Sequence, residues 1–201
     1  QIQDYTNLGL MGKLDEPRMV QLRQWVDPYS YRQRYTMPKL LLLGTNDRYW
    51  TVDSLRNYWR DLPAPKLIYQ TPNAGHDLGG GKEAIQSLAA WFALIADHQP
   101  LPQMDWQIAQ TPAGASLAVE LNRPARALRL WTATSPTRDF REAKWTAREL
   151  EVPPGGERAA VAVPQPAQGF RAFLVEVELT SPTGQPYRLS TEARVTPDTV
   201  P

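Results

Sequence analysis

Two periods of apolar and polar residues divide the chain near residue 100. Before that point, short apolar runs at residues 39–43 and 66–70 alternate with segments of helical period at about 54–60 and 82–96. In the last of these, Ile85, Leu88, Ala89, Phe92 and Ile95 recur every three to four residues, which predicts a buried stripe on one helix face, with Trp91 packed beside it. Strand, helix, strand, helix is the order of a parallel sheet covered by helices. Pro100 and Pro102 end the pattern, since each lacks a backbone donor and drives its predecessor out of the helical region. Beyond them the period becomes two. Residues 117–121, 127–132, 159–163, 172–179 and 187–191 read as short strands between Pro, Gly and Ser clusters, a spacing that predicts an antiparallel sandwich of the immunoglobulin or fibronectin kind. The domain organisation expected is therefore an α/β part over 1–98, a Pro-rich linker over 99–103 and a β-sandwich-like domain over 104–201.

Composition narrows the chemistry. Of 201 residues 42% are hydrophobic and 21% charged, enough apolar material for a globular core. The 22 Lys and Arg are balanced by 21 Asp and Glu and interspersed with them, which gives no footprint for nucleic acid or an anionic membrane. There is no Cys for disulfide, metal or redox chemistry, and two His are too few for a His-rich metal site, so no cofactor is expected. No apolar run is long enough for a transmembrane segment. Because the chain opens with Gln1 rather than Met, a processed or truncated N-terminus is expected.

The candidate chemistry lies at the ends of the two apolar runs. Leu40–Leu43 lead through Gly44-Thr45-Asn46 to Asp47, and the run at 66–70 leads through Pro72-Asn73-Ala74-Gly75 to His76. A carboxylate leaving the carboxyl end of a parallel strand enters the crevice where such sheets hold ligands, and it can fix an imidazole in one tautomer. Acid and then histidine, in that chain order, are the last two members of an α/β-hydrolase triad, after a nucleophile further upstream. The plainer alternative is that Asn46 and Asp47 cap the turn after the strand. Two other acids compete. Asp77 adjoins His76 in sequence and is badly placed to orient it, whereas Asp53 is expected to cap a helix beginning at Ser54. Tyr49 and Trp50 are expected either to line an acyl or peptide pocket or to pack beneath the next helix. The string nearest to a nucleophile elbow, Gly114-Ala115-Ser116-Leu117-Ala118, lacks the second glycine and runs into a β pattern. The fold class expected is thus α/β, the C-terminal part of an α/β-hydrolase-like parallel sheet, followed by a small all-β sandwich.

Asp27-Pro28-Tyr29-Ser30-Tyr31, Met37-Pro38-Lys39, Gly44-Thr45-Asn46-Asp47-Arg48-Tyr49-Trp50, Asp53-Ser54 and Pro72-Asn73-Ala74-Gly75-His76 together resemble the PhoPQ-activated pathogenicity-related proteins. Leu130-Trp131-Thr132-Ala133, Arg138-Asp139-Phe140-Arg141 and Trp145 are similar to that family's β-rich terminal region. The resemblance implies a periplasmic or secreted, hydrolase-like protein in which Asp47 and His76 stand at the acid and histidine positions. It also implies that the serine precedes Gln1.

Two functions are compatible with these residues. In one, the chain is the C-terminal portion of an exported serine-hydrolase-like protein, inactive alone, whose partners are the upstream part of the same hydrolase domain and a small-molecule, peptide or ester substrate. In the other, a catalytically silent hydrolase-fold scaffold carries a β-sandwich that binds a partner. Trp131 on a sandwich strand is expected in the core, with glycan or partner binding as the alternative.

Overall fold

The computed structural model describes residues 2–199. It opens with two helices, α1 (Ile2–Asn7) and α2 (Pro17–Val26), and a 3-10 segment over Pro28–Arg34, none of which contributes a buried residue among those described. The run of leucines forms β1 (Lys39–Gly44), which pairs in parallel with β2 (Lys66–Thr71), Leu40 opposite Leu67 and Gly44 opposite Thr71. Between them the chain makes two short 3-10 turns, Ser54–Asn57 and Trp59–Asp61, and α3 (Lys82–Ala96) follows β2. The rest is β: β3 (Met104–Thr111), β4 (Gly114–Leu121), β5 (Ala127–Ser135), β6 (Thr146–Leu150), β7 (Arg158–Pro164), β8 (Phe170–Thr180), β9 (Pro186–Ser190) and β10 (Arg194–Thr196).

These strands correct the expected fold class. The chain is mostly β, 35% strand against 25% helix, with antiparallel sheets, and it does not form the parallel sheet of an α/β-hydrolase. Among the described residues parallel pairing is confined to β1 and β2. The reason is local: only two apolar runs precede residue 98, and the segment expected to be a crossover helix at 54–60 closes into 3-10 turns. Two strands and one covering helix do not build a doubly wound layer.

Two antiparallel sheets make up the β-rich part. In one, β8 lies between β5 and the successive strands β9 and β10, with β6 outside β5; in the other, β4 lies between β3 and β7. Alternation along β4 and β8 sends Leu117, Val119 and Leu121 from one sheet and Phe173, Val175, Val177 and Leu179 from the other into one core. That core continues across the 99–103 segment to Leu67 of β2 and Ala90, Trp91 and Leu94 of α3.

The helix reverses an expectation. α3 covers residues 82–96 as the period predicts, but it buries Ala84, Ser87, Ala90, Trp91 and Leu94. The predicted stripe faces outward, with Ile85 63%, Leu88 47%, Phe92 70% and Ile95 36% exposed. A helix apolar nearly all round has more than one face to offer. The small side chains of Ala84, Ser87 and Ala90 let this one lie close on β9, where Ser87 Oγ accepts from the Arg188 amide at 3.1 Å.

Gln70 of β2 joins the two parts of the chain. Its side-chain oxygen accepts from the Ala193 amide at 2.6 Å and its amide nitrogen donates to the Val52 carbonyl at 3.1 Å, filling the gap between β9 and β10. Gln70→Leu keeps the bulk and strands a buried donor and acceptor, which is expected to cost about 2–4 kcal/mol in urea unfolding. A loss below about 0.5 kcal/mol would remove Gln70 from this role.

Candidate functional site

The loops that leave β1 and β2 are held against each other and against a third loop, residues 140–145. Gly44 allows the first contact: a Cβ there would overlap the Gly75 and Ala74 carbonyl oxygens and lie 2.9 Å from the Ala74 carbonyl carbon. The Asn46 amide donates to Ala74 O at 2.9 Å, and Thr45 Oγ1 accepts from the Asn73 amide at 2.9 Å. Two asparagines then reach the third loop. Asn46 Nδ2 faces the carbonyls of Phe140 at 3.0 Å and Ala143 at 2.7 Å. Asn73 pairs with the Trp145 backbone in both directions, Nδ2 donating to its carbonyl at 3.0 Å and Oδ1 accepting from its amide at 2.7 Å. Asn73 is left-handed (φ 57°), a conformation Asn tolerates better than most residues. Trp145 anchors the loop in a core shared with Phe140, Ala172, Leu174 and Val195.

This clamp brings Asp47 and His76 together. Asp47 is buried, 5% exposed; its Oδ1 accepts from the Tyr49 amide at 2.7 Å and its Oδ2 lies 2.9 Å from His76 Nδ1. With a carboxylate as acceptor, Nδ1 carries the proton and Nε2 is left as an acceptor. The His76 side chain is 64% exposed, and no described residue hydrogen-bonds Nε2. The Tyr49 ring meets the imidazole edge-on, centroids 4.8 Å apart. Geometrically this is an acid holding a solvent-facing base in one tautomer.

The other sequence candidates fall around it. Tyr49 and Trp50 are exposed, 52% and 47%, and with Asp47, Thr51 and Val52 they line a cavity of about 470 Å³ that reaches Arg138 and Phe140. They are not packed beneath a helix. Asp53 does not cap the turn at Ser54; its carboxylate takes Arg138 Nη2 at 2.6 Å and Arg56 Nη1 at 3.4 Å, and Arg56 also holds Asp198 at 2.5 Å. The Arg pair competes successfully with a single backbone amide for the acid. Asp77 accepts from the Gly79 amide at 3.2 Å and turns away from the imidazole into its own loop. Ser116 stands in the middle of β4 between β3 and β7, a flat ladder position and not an elbow. Trp131 is partly buried against the core around Trp145. Among the described residues no serine hydroxyl hydrogen-bonds His76, and no cluster of three or more His, Asp or Glu is placed to hold a metal.

Sequence reasoning missed Asn46, Asn73 and Arg138. Asn before the acid and Asn in the Pro-Asn-Ala-Gly turn are visible in the sequence, but their acceptors lie more than 70 residues away. At the cavity rim, Arg141 pairs with Asp139 through side-chain and backbone hydrogen bonds, which hold that carboxyl at about 2. A carboxyl-resolved NMR titration is expected to show Asp139 with a midpoint near that value. In Arg141→Ala the midpoint is expected to rise toward the ordinary carboxylate range. Because the folded value is depressed, whatever stability the pair adds is present above the ordinary carboxylate pKa and lost as pH falls toward 2.

One family is matched among known proteins. The profile described as PhoPQ-activated pathogenicity-related protein matches residues 1–141. Autocrine proliferation repressor protein A of Dictyostelium discoideum is 29% identical over an alignment of 228 residues that takes in the whole of this chain. The chain spans 46% of that relative's length, so it corresponds to about half of it. No solved structure matches. No helix among the described residues is long and apolar enough to cross a membrane. With the profile covering well over half of its residues, this chain belongs to the PhoPQ-activated pathogenicity-related protein family.

Proposed function

We propose that Asp47 and His76 are the acid and general base of a Ser-His-Asp hydrolytic triad whose serine comes from a part of the protein outside these 201 residues. The observation that carries the proposal is the buried Asp47 carboxylate at 2.9 Å from His76 Nδ1 with Nε2 open to solvent. A base so held takes the proton of an approaching hydroxyl and later returns it to the leaving group. The cavity beside the pair, walled by Tyr49 and Trp50, supports an ester, peptide or other small-molecule substrate with an apolar or aromatic group. The outward apolar face of α3 supports the presence of further protein against this half. We also propose, from the family resemblance, a periplasmic or secreted location; fractionation that recovers the protein with a cytoplasmic marker overturns this proposal.

The test uses the full-length protein and a serine-reactive fluorophosphonate. Labelling is expected in the wild type and is expected to fall at least tenfold in His76→Ala, with folding checked by circular dichroism. Absence of labelling in the folded wild type, or equal labelling in the variant, rejects the triad. A second reading, that the protein acts by binding without turnover, is favoured by the relative's name, which describes a repressor of proliferation and no reaction. It predicts that His76→Ala leaves every activity of the full-length protein unchanged.

A further inference from the structure

Among the described residues the His76 imidazole is held by one hydrogen bond, from Nδ1 to Asp47 Oδ2 at 2.9 Å, and its side chain is 64% exposed. One bond does not fix a planar ring. The terminal torsion of a histidine side chain is broad and roughly two-fold, and a half turn about it puts Cδ2 where Nδ1 stood. That turn breaks the bond to Asp47 and re-aims Nε2, the nitrogen that faces an approaching hydroxyl.

A second contact opposes the turn. The Tyr49 ring lies edge-on to the imidazole, with centroids 4.8 Å apart. Its position is fixed from both sides along the chain. On one side the Tyr49 amide donates to Asp47 Oδ1 at 2.7 Å, so the acid that binds the imidazole also sets the start of the loop that carries the ring. On the other, Val52 is buried in the core with Phe140 and Trp145, and its carbonyl accepts from Gln70 Nε2 at 3.1 Å. Only Trp50 and Thr51 separate Tyr49 from that anchor. The pair of Arg48 with Glu142, at 2.8 Å, is exposed to water and adds little. A segment pinned so closely at both ends presents its side chain with little freedom.

The ring, and not the hydroxyl, makes this contact, since no described residue hydrogen-bonds Tyr49 Oη. Tyr49 also lines the cavity of about 470 Å³, to which Asp47 contributes and the imidazole does not. It therefore stands where it touches both the base and the space beside it. We infer that Tyr49 is a positioning residue for His76, its ring opposing the half turn of the imidazole and keeping Nε2 turned to solvent. The orientation follows from the contact itself; its consequence for turnover rests on the proposed triad.

The experiment uses the full-length protein with 15N-labelled histidine, the His76 signals being assigned by their loss in His76→Ala. The His76 nitrogens are expected to report a protonated Nδ1 and an unprotonated Nε2 in the wild type and in Tyr49→Phe, and a mixture of tautomers in Tyr49→Ala, with each fold checked by circular dichroism. Turnover is expected to follow. In Tyr49→Ala kcat should fall about three- to tenfold, the size of one aromatic pair contact, and in Tyr49→Phe it should stay within about twofold of wild type. Trp50→Ala removes another wall of the same cavity and is expected to keep the wild-type tautomer. If Tyr49→Ala does not fold, Tyr49→Ser takes its place with the same expectations. The wild-type tautomer in folded Tyr49→Ala, a mixture in Tyr49→Phe or Trp50→Ala, or a kinetic change confined to KM overturns the positioning role. If the wild type has no turnover the triad fails, and the tautomer in Tyr49→Ala alone then decides the role of Tyr49.

Discussion

On the proposed triad, Asp47→Asn is expected to lower turnover by the full-length protein by about four orders of magnitude while leaving its fold intact. The two oxygens of Asp47 have different partners, and that makes the substitution decisive. Oδ1 accepts from the Tyr49 amide at 2.7 Å, a bond that fixes the loop after β1, while Oδ2 faces His76 Nδ1 at 2.9 Å. An asparagine keeps the first bond only by placing its oxygen on Tyr49, and its NH2 group then points at His76. Two donors cannot share that contact, so Nδ1 must become the acceptor and the imidazole proton moves to Nε2. The nitrogen that should take a proton from the serine then already carries one. Steady-state kinetics and thermal unfolding of the same sample separate this effect from misfolding. A rate within threefold of wild type in a folded Asp47→Asn protein removes Asp47 from catalysis. If turnover falls and Tm falls by more than a few degrees, the loss belongs to the loop and not to the tautomer. His76→Ala shares the outcome only if the two residues act as one unit, in which case the double variant is no worse than either single one.

What the sequence made legible follows from the range of the forces involved. The limits of α3 and of the strands at 114–121, 158–164, 170–180 and 186–190 are set by local periods and by Pro and Gly, and they stand close to where those patterns put them. The strands β3, β6 and β10 went unread. Met104, Trp106 and Ile108 do alternate with Asp105 and Gln107, a local signal that stands directly against the proline segment at 100–102. Thr146–Leu150, in contrast, is an exposed edge and Arg194–Thr196 has three residues, so neither of these shows a strong alternation. Which face of α3 goes inward was misread because the choice is made by neighbours, not by the helix. A face of Ala84, Ser87 and Ala90 sits closer to β9 than one of Ile85, Leu88 and Phe92 would, and Trp91 and Leu94 complete its contact with the core. The fold class misleads for a similar reason: strand and helix order implies a parallel sheet, but among the described residues only two parallel strands are present to make one. At the candidate site, Asp47 and His76 were visible as strand-end residues. The clamp that brings them together was not, because Asn46 and Asn73 find their partners in the loop that carries Trp145. Asp53 shows the same limit. Its sequence neighbours suggest a cap, while its ion partners are Arg138 and Arg56, and Arg56 is shared with Asp198 near the other end of the chain.

The largest structural effect is expected at Gly44, where Gly44→Val should destabilise the chain by about 3 kcal/mol or more and separate Asp47 from His76. The glycine is not needed for an unusual backbone angle; it is needed because two strand-end loops cross at its Cα. A Cβ at this position meets the Gly75 and Ala74 carbonyl oxygens and the Ala74 carbonyl carbon, all backbone atoms that cannot rotate away. Relief requires the 72–76 loop to move outward. That movement breaks the Asn46 N–H bond to Ala74 O and pulls Asn73 from Thr45 and from Trp145. The cost therefore combines overpacking with the loss of several partly buried hydrogen bonds. Gly44→Ala should show the same pattern to a smaller degree, since its single methyl meets the same carbonyls. Urea unfolding gives the stability, and the His76 imidazole 15N signals in NMR report the contact: a protonated Nδ1 facing Asp47 is expected in the wild type, and in Gly44→Val that tautomer preference should be lost. Loss of stability with the tautomer preference retained would mean that the loops yield elsewhere and that Gly44 has no part in positioning the pair. Loss of both ties the identity of one strand-end residue to the geometry of the acid and the base.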